Sequence, residues 1–247
     1  MRAEVLPGGP LAAGDGLPGD GHWLACARLC DEPDWLAQLI RASGRQLGTD
    51  DDMVAASLFV QNYAYRVMMV AVACATAGGV VPGSRAADMG FTMARGRPHV
   101  VGYLEPRALL VPLQAEAVRR VPEWLFAEAV ANHLASLVDS VLSRFRVGRR
   151  LLWGNIASST ATAFRTMDGC LGAWVRPIGE AFFRDAPEVL RGHGAFLALE
   201  HGERSGWFWE RTSCCLYDRL PGKLRCGDCS RTPAPERRSA YRASLGG

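Results

Sequence analysis

The sequence predicts a mainly α-helical domain with a small β-hairpin insertion and a short C-terminal cysteine-rich module. Three observations predict this. Segments after Asp31, Thr49 and Pro122 carry apolar residues at helical spacing behind helix-start signals. One stretch between Ala87 and Leu113 sets two short apolar runs about a Gly/Pro turn. Four cysteines crowd the segment from Cys214 to Cys229. With 247 residues, 49% of them hydrophobic, the chain can bury a substantial core without metal or disulfide staples. The crowded cysteines therefore point to chemistry rather than to a need of folding.

Residues 1–22 are rich in Gly and Pro, with no basic run beyond Arg2 and no apolar stretch, and read as a flexible leader without a secretory signal. Asp31-Glu32-Pro33 opens a helix to about Arg45, with a capping acid, an acid in the first turn and an early proline. Thr49-Asp50-Asp51-Asp52 opens a second, running to Gly78-Gly79. Its C-terminal half is apolar all round, as in a central core helix. The longest apolar run, Val67 to Ala77, falls well short of the roughly 20 residues of a membrane span. Gln61, Asn62 and Arg66 lie just upstream, so a buried helix is expected and no integral membrane segment.

FTMA and HVVGYL flank Arg95-Gly96-Arg97-Pro98 as the one clear hairpin. Pro122-Glu123 opens the most periodic helix. Leu134, Leu137, Val138, Val141, Leu142 and Phe145 share its apolar face, while Glu128, Asn132, Ser136, Asp139 and Ser143 line the other. Gly148 separates it from a further helix, RLLWGNIASSTATAFRTM, and an amphipathic piece spans Ile178 to Arg191. Beyond Gly192 periodicity fades into the cysteine-rich tail. The expected division is a leader (1–22), a helical domain (23–205) and a C-terminal segment (206–247).

The formal net charge of +3 is too small to argue for nucleic acid, and no GxGxxG or P-loop supports a dinucleotide or ATP site. Without a visible signal or anchor the expected location is the reducing cytoplasm, where structural disulfides are rare.

The four tail cysteines read C-C-x10-C-x2-C: Cys214, Cys215, Cys226 and Cys229. Four thiolates suit zinc or an iron–sulfur cluster. A zinc ribbon draws two ligands from each of two turns of spacing x2–4, whereas adjacent residues in extended backbone project to opposite sides. Convergence of Cys214 and Cys215 on one zinc is awkward, and two irons relax that demand. Spacing favours iron–sulfur over zinc, with a thiol redox centre or disulfides remaining as further readings.

The segment WFWERTSCCLYDRLPGKLRCGDC, Trp207 to Cys229, resembles the C-terminal signature of the FhuF-like siderophore-iron reductases. LLWGNIASSTATAFRTM, Leu151 to Met167, is similar to that family's W-G-N-x-A-S helix, and the two stand in the family's order. The resemblance covers about forty residues and departs at Ser230-Arg231, where the family often has Pro and an apolar residue. It implies a C-terminal iron–sulfur module holding a 2Fe–2S cluster on Cys214, Cys215, Cys226 and Cys229. It also implies one-electron reduction of a ferric siderophore, of hydroxamate type, with release of Fe(II). No nucleotide site being visible, an external electron donor is implied, a ferredoxin or a flavin-dependent reductase. The chain looks too short for the ATP-dependent domain of the related siderophore synthetases. Competing readings are an iron–sulfur sensor acting through a protein partner and a zinc-stabilised binding module.

Between Arg204 and Arg242 nine basic residues stand against four acids. A basic surround would favour a more negative reduced cluster and attract an acidic donor or an anionic ferric complex. Arg211, Arg219 and Arg225 are candidate contacts to substrate or donor, as are Trp207, Trp209 and Tyr217, although packing is the simpler role for these aromatics. Cys26, Cys30, Cys74 and Cys170 read as small core residues. His193 and His201 precede the tail and can approach the site, but four cysteines leave no need for a mixed His/Cys set.

Overall fold

In chain order, β1 (Leu24–Ala25) and a short α1 (Ala27–Asp31) lead into α2 (Pro33–Gln46). The computed structural model describes residues 22–104, 107–110 and 115–246, so the expected leader, apart from His22, lies outside the described residues. α2 starts at the expected proline, but Asp31 ends α1 instead of capping α2. Glu32 takes the cap position without a side-chain bond, Asp34 is the first-turn acid, and the helix buries a stripe containing Leu36, Leu39, Ile40 and Ser43. α3 (Asp52–Gly78) is capped by Asp51, whose carboxylate accepts from the N–H groups of Met53 (2.9 Å) and Val54 (3.2 Å). It ends at Gly79 in the left-handed conformation.

β2 (Val80–Pro82) pairs with β5 (Ala108–Leu110), while β1 joins β3 (Met89–Ala94) and β4 (Arg97–Tyr103) in a three-stranded antiparallel sheet. The expected hairpin is β3–β4. Its turn is Arg95-Gly96, both at positive φ as a type I′ turn demands, so Arg97 and Pro98 belong to β4. The Ser43 hydroxyl donates to the Gly96 carbonyl and ties the turn to α2.

Three expectations need correction. The helix expected to open at Pro122 begins earlier, as α4 (Ala115–Leu125) with Pro122 inside it. A proline signals a helix start because its missing N–H costs nothing there, yet an interior proline carries the same local signature. A π-helical stretch, Phe126–Leu134, then leads into α5 (Ala135–Leu142), and the expected apolar face is the buried one. After α6 (Arg149–Leu171) and α7 (Arg176–Asp185), the region beyond Gly192 is regular: β6 (Gly194–His201) and β7 (Arg204–Arg211) form an antiparallel hairpin. A segment boundary at residue 206 therefore falls within a strand. The tail, for which the sequence predicts no element, ends in α8 (Ala234–Leu245).

α3 and α6 pack along each other at the centre. Asn155 and Ser159 of α6 donate to the Ser57 and Gln61 carbonyls of α3, and the α6 threonines return their hydroxyls to carbonyls four residues back. Asp52–Gly78 and Arg119–Leu142 reach the length and hydropathy of membrane spans, but 61% and 50% of their apolar windows are buried in the fold. The β6–β7 hairpin lies against α6 and α7 through Phe164, Phe182, Phe183, Phe196, Trp207 and Trp209.

Candidate metal centre

The four tail cysteines come together as two pairs. The sulfurs of Cys214 and Cys229 are 3.9 Å apart, and those of Cys215 and Cys226 are also 3.9 Å apart. Each pair thus takes one member of the adjacent Cys-Cys and one of the CxxC turn, a turn closed by the Cys229 N–H on the Cys226 carbonyl (3.0 Å). Among the described residues, no group of three or more His, Cys, Asp or Glu is gathered so as to hold a single metal ion. Cys215 and Cys229 are buried and Cys214 and Cys226 half-buried.

Backbone N–H groups turn back on the first pair of thiols. That of Leu216 lies 3.3 Å from the Cys214 sulfur, and that of Tyr217 bonds the Cys215 sulfur. This requires Leu216 to sit at φ 67°, left-handed space that a residue with a Cβ normally avoids at a cost of about 1–2 kcal/mol. The cost is offset because the Leu216 side chain is buried among Val54, Leu58 and Leu220, a burial worth about 1.5–3 kcal/mol.

Charge around the thiols is arranged rather than diffuse. The hydrogen bond from Cys226, the Arg211 guanidinium and the Tyr217 N–H together bring Cys215 down to about 6. Cys226, facing that thiolate, is pushed up. Burial raises Cys214.

The W-G-N-x-A-S helix is the seat of this loop. Asn155, fully buried on α6, accepts from Arg211 Nη2 (2.9 Å) and donates to the Ser57 carbonyl (2.9 Å) and hydroxyl (2.8 Å). Ser57 in turn donates to the Cys215 carbonyl at 2.7 Å, and Arg211 Nε donates to the Ser213 carbonyl at 2.5 Å. Gly154 admits the loop: a Cβ there would stand 2.9 Å from the Ser213 Cβ and nearer still to its hydroxyl. From the other side, Arg237 on α8 donates to the Cys229 carbonyl (3.1 Å), while Tyr241 stacks on Phe208 and Arg238 pairs with Glu210.

The remaining candidates are distributed as follows. Trp207 and Trp209 are buried, Trp207 stacked on Phe196 and Trp209 tilted against Phe183, and Trp209 donates to the Ser158 hydroxyl, so neither ring is presented to a docked molecule. Arg211 is buried and holds the loop. Arg219 pairs with Asp51 at 3.8 Å, and Arg225 pairs with Asp218, which also binds Arg231. Much of the tail's positive surplus is thus committed to ion pairs. His193 packs beside Gly154 and engages the Val189 carbonyl, and His201 lies by Gly246, close to the β6–β7 turn. Cys26 is deeply buried beside Tyr63, and Cys30, Cys74 and Cys170 are distributed over α1, α3 and α6.

Tyr217 alone of the expected contacts lines an open cleft of about 380 Å³. Cys215 and Cys226 also line the cleft, with Leu58, Gln61, Asn62 and Tyr65 from α3, Arg97 from the first position of β4, and Ser159 and Thr162 from α6. The sequence reading did not select these residues, although Gln61 and Asn62 stood out as polar positions ahead of an apolar run.

Fold and site together define a mainly helical protein presenting four thiols in two pairs beside a polar cleft. No family model matches the chain, and no curated protein matches it. Among solved structures it is similar to an aerobactin synthetase from a hypervirulent pathotype of Klebsiella pneumoniae, with a TM-score of 0.52 and 14% identity, over 71% of this chain and 34% of the synthetase. At that identity the likeness is one of fold, and it spans about a third of the synthetase's length.

Proposed function

We propose that the protein holds a 2Fe–2S group on Cys214, Cys215, Cys226 and Cys229 and reduces ferric siderophores, releasing Fe(II). The observation that carries the reading is the pairing of the four sulfurs. A tetrahedral metal with metal–sulfur bonds of about 2.3 Å separates two of its sulfurs by about 3.8 Å, and two such separations occur, each joining one arm of the loop to the other. The donor set, all thiols, is the one iron–sulfur groups take. When bound, that group supplies a one-electron couple.

The chain's own residues are suited to that chemistry. Arg211 and the N–H groups of Leu216 and Tyr217 face the sulfurs and balance negative charge there. Asn155 and Ser57 fix Arg211 and the Cys215 carbonyl in position. Hard oxygen donors hold Fe(III) tightly and Fe(II) weakly. The siderophore's Fe(III) gains one electron, an external donor such as a ferredoxin or a flavin-dependent reductase loses one, and no bond within the siderophore breaks. The siderophore setting is supported by the fold shared with an aerobactin synthetase, aerobactin being a siderophore. A cytoplasmic location, where thiols stay reduced, belongs to the same proposal.

Anaerobically purified protein is expected to contain two irons and two acid-labile sulfides per chain, and to lose them when any one of the four cysteines becomes serine. Dithionite-reduced protein is expected to be reoxidised by a ferric hydroxamate faster than by buffer in stopped-flow absorption. One zinc per chain and no colour would overturn the centre; equal reoxidation rates would overturn the reductase reading.

A further inference from the structure

We infer that the cleft beside Cys215 and Cys226 is a binding site for an oxygen-rich, anionic metal complex, with Arg97 as its principal charged contact. This rests on the reductase reading for its metal, while the ligand chemistry follows from the cleft itself. Its ten lining residues include one cation, no carboxylate and the sulfurs of Cys215 and Cys226; the others are Leu58 and amide, hydroxyl and phenol side chains, while Asp228 bonds the Cys226 thiol from outside the lining. Three polar ends, the Arg97 guanidinium and the hydroxyls of Tyr65 and Tyr217, have no hydrogen-bond or ion-pair partner among the described residues. That sets Arg97 apart from Arg219, Arg225, Arg231 and Arg238, each already paired with an acid. All three free ends can donate to ligand oxygens, so the cleft favours acceptor-rich ligands that bring their negative charge to Arg97, away from the thiol end of the cleft. Gln61 adds the complementary need: its amide oxygen is buried without a partner and would accept from a ligand amide.

Arg97 is held for this purpose by a distant contact. The Arg95-Gly96 turn just before it is anchored to α2 through Ser43 and the Gly96 carbonyl, so Arg97 opens β4 next to a fixed hairpin tip. The opposing wall is the helical α3–α6 surface, where the Ser159 hydroxyl donates to the Gln61 carbonyl at 2.8 Å and locks the two helices in register. A volume of about 380 Å³ lies at the lower end of pockets for small ligands. It therefore takes one face of a siderophore complex and leaves the rest in solvent. That face meets the Cys215–Cys226 pair, and the cleft does not include Cys214 or Cys229. Reductive release from this position takes one electron into the bound Fe(III), supplied by the external one-electron donor named above.

Gallium(III) complexes, which bind as ferric complexes do but are not reduced, separate binding from electron transfer. Calorimetric titration of anaerobically purified holoprotein is expected to show one site for the anionic gallium complex of a citrate-based dihydroxamate. Arg97→Ala should weaken it about tenfold, and should affect a neutral tris-hydroxamate complex less. Thr162→Trp, which fills the cleft from α6, should remove binding of both. Arg184→Ala, on the exposed end of α7 and paired with Asp185, should change neither. The visible absorption of every variant should match the parent protein. Absence of binding to the parent protein, or equal affinity in Arg97→Ala and Thr162→Trp, overturns the site. Binding with the expected variant pattern, but no reoxidation of reduced protein by the matching ferric complex, leaves the site standing and removes the reductase reading.

Discussion

Replacing Asn155 with alanine tests whether the α6 helix is what holds the cysteine loop. The side chain is fully buried and makes three hydrogen bonds: two donated to Ser57, at 2.9 and 2.8 Å, and one accepted from Arg211 at 2.9 Å. The two neutral bonds are worth about 1 kcal/mol each, and the charge-assisted one about 1.5–3 kcal/mol. Alanine removes all three and strands one end of a buried guanidinium, for a cost of about 3–5 kcal/mol. Total stabilities of about 5–15 kcal/mol make that a large fraction. Urea unfolding followed by far-ultraviolet circular dichroism measures it as a lower midpoint with little change in slope. Replacing Arg211 by methionine in the Asn155→Ala background removes the stranded charge, so the double variant should be more stable than the sum of the singles predicts, by about 1.5–3 kcal/mol. Additivity within about 0.5 kcal/mol, or an Asn155→Ala cost below about 1 kcal/mol, would refute the claim that this bond seats the loop.

Two further outcomes follow from the same geometry. Gly154→Ala puts a methyl group 2.9 Å from the Ser213 Cβ, so the loop before Cys214 must move. Overpacking of that kind costs about 1–3 kcal/mol, and the variant should also retain less iron after gel filtration in chelator; an unchanged urea midpoint with unchanged iron would refute it. His133, fully buried, donates from Nδ1 to the Ser84 carbonyl (2.8 Å), which leaves Nε2 to accept from the Tyr63 hydroxyl (2.7 Å). Burial pushes it down to about 4 from an ordinary value of 6.5. The unfolded chain therefore binds a proton that the folded one refuses between those values. Stability is complete above the ordinary value and falls as the pH drops toward 4, by about 3 kcal/mol in all. His133→Gln should lose that part of the pH slope, as read from urea midpoints across the acid range, and an identical slope in both proteins would contradict the assignment.

Helix bounds were legible where the signal was local. Asp51 and Pro33 start α3 and α2, and Gly79 ends α3, because caps act over one turn of chain. The β6–β7 hairpin was hidden for a physical reason: Trp207 and Trp209 bury toward α6 and α7, while Phe208 between them buries against Tyr241 of α8. Three consecutive buried aromatics erase the alternation that marks a strand with one solvated face. The cysteines could be chosen from the sequence because all four lie within sixteen residues, Cys214 to Cys229. The cleft could not, since Arg97 reaches it from the start of β4, after a turn docked on α2, and Gln61, Asn62 and Tyr65 matter only once α6 lies beside α3. The W-G-N-x-A-S segment was noticed as a resemblance, but its use, a glycine gap and an asparagine clamp for the loop, is visible only in three dimensions.

The side-by-side cysteines follow from this arrangement. Each sulfur meets a different member of the CxxC turn: Cys214 meets Cys229, and Cys215 meets Cys226. The chain must then turn sharply, because Leu216 and Tyr217 point their N–H groups back at the two sulfurs. That turn is sustained by burial of Leu216 against Val54 and Leu58 of α3, and by Ser57 of α3 holding the Cys215 carbonyl. One helix face thus does two things in succession. Its first turns, Val54, Ser57 and Leu58, grip the loop; its next turns, Gln61, Asn62 and Tyr65, line the cleft onto which Cys215 and Cys226 open. A ligand in that cleft and the thiol loop therefore share a rigid support. A change at Leu58, which belongs to both surfaces, should disturb loop stability and ligand affinity together, whereas Tyr65 lies beyond the loop and should affect affinity alone.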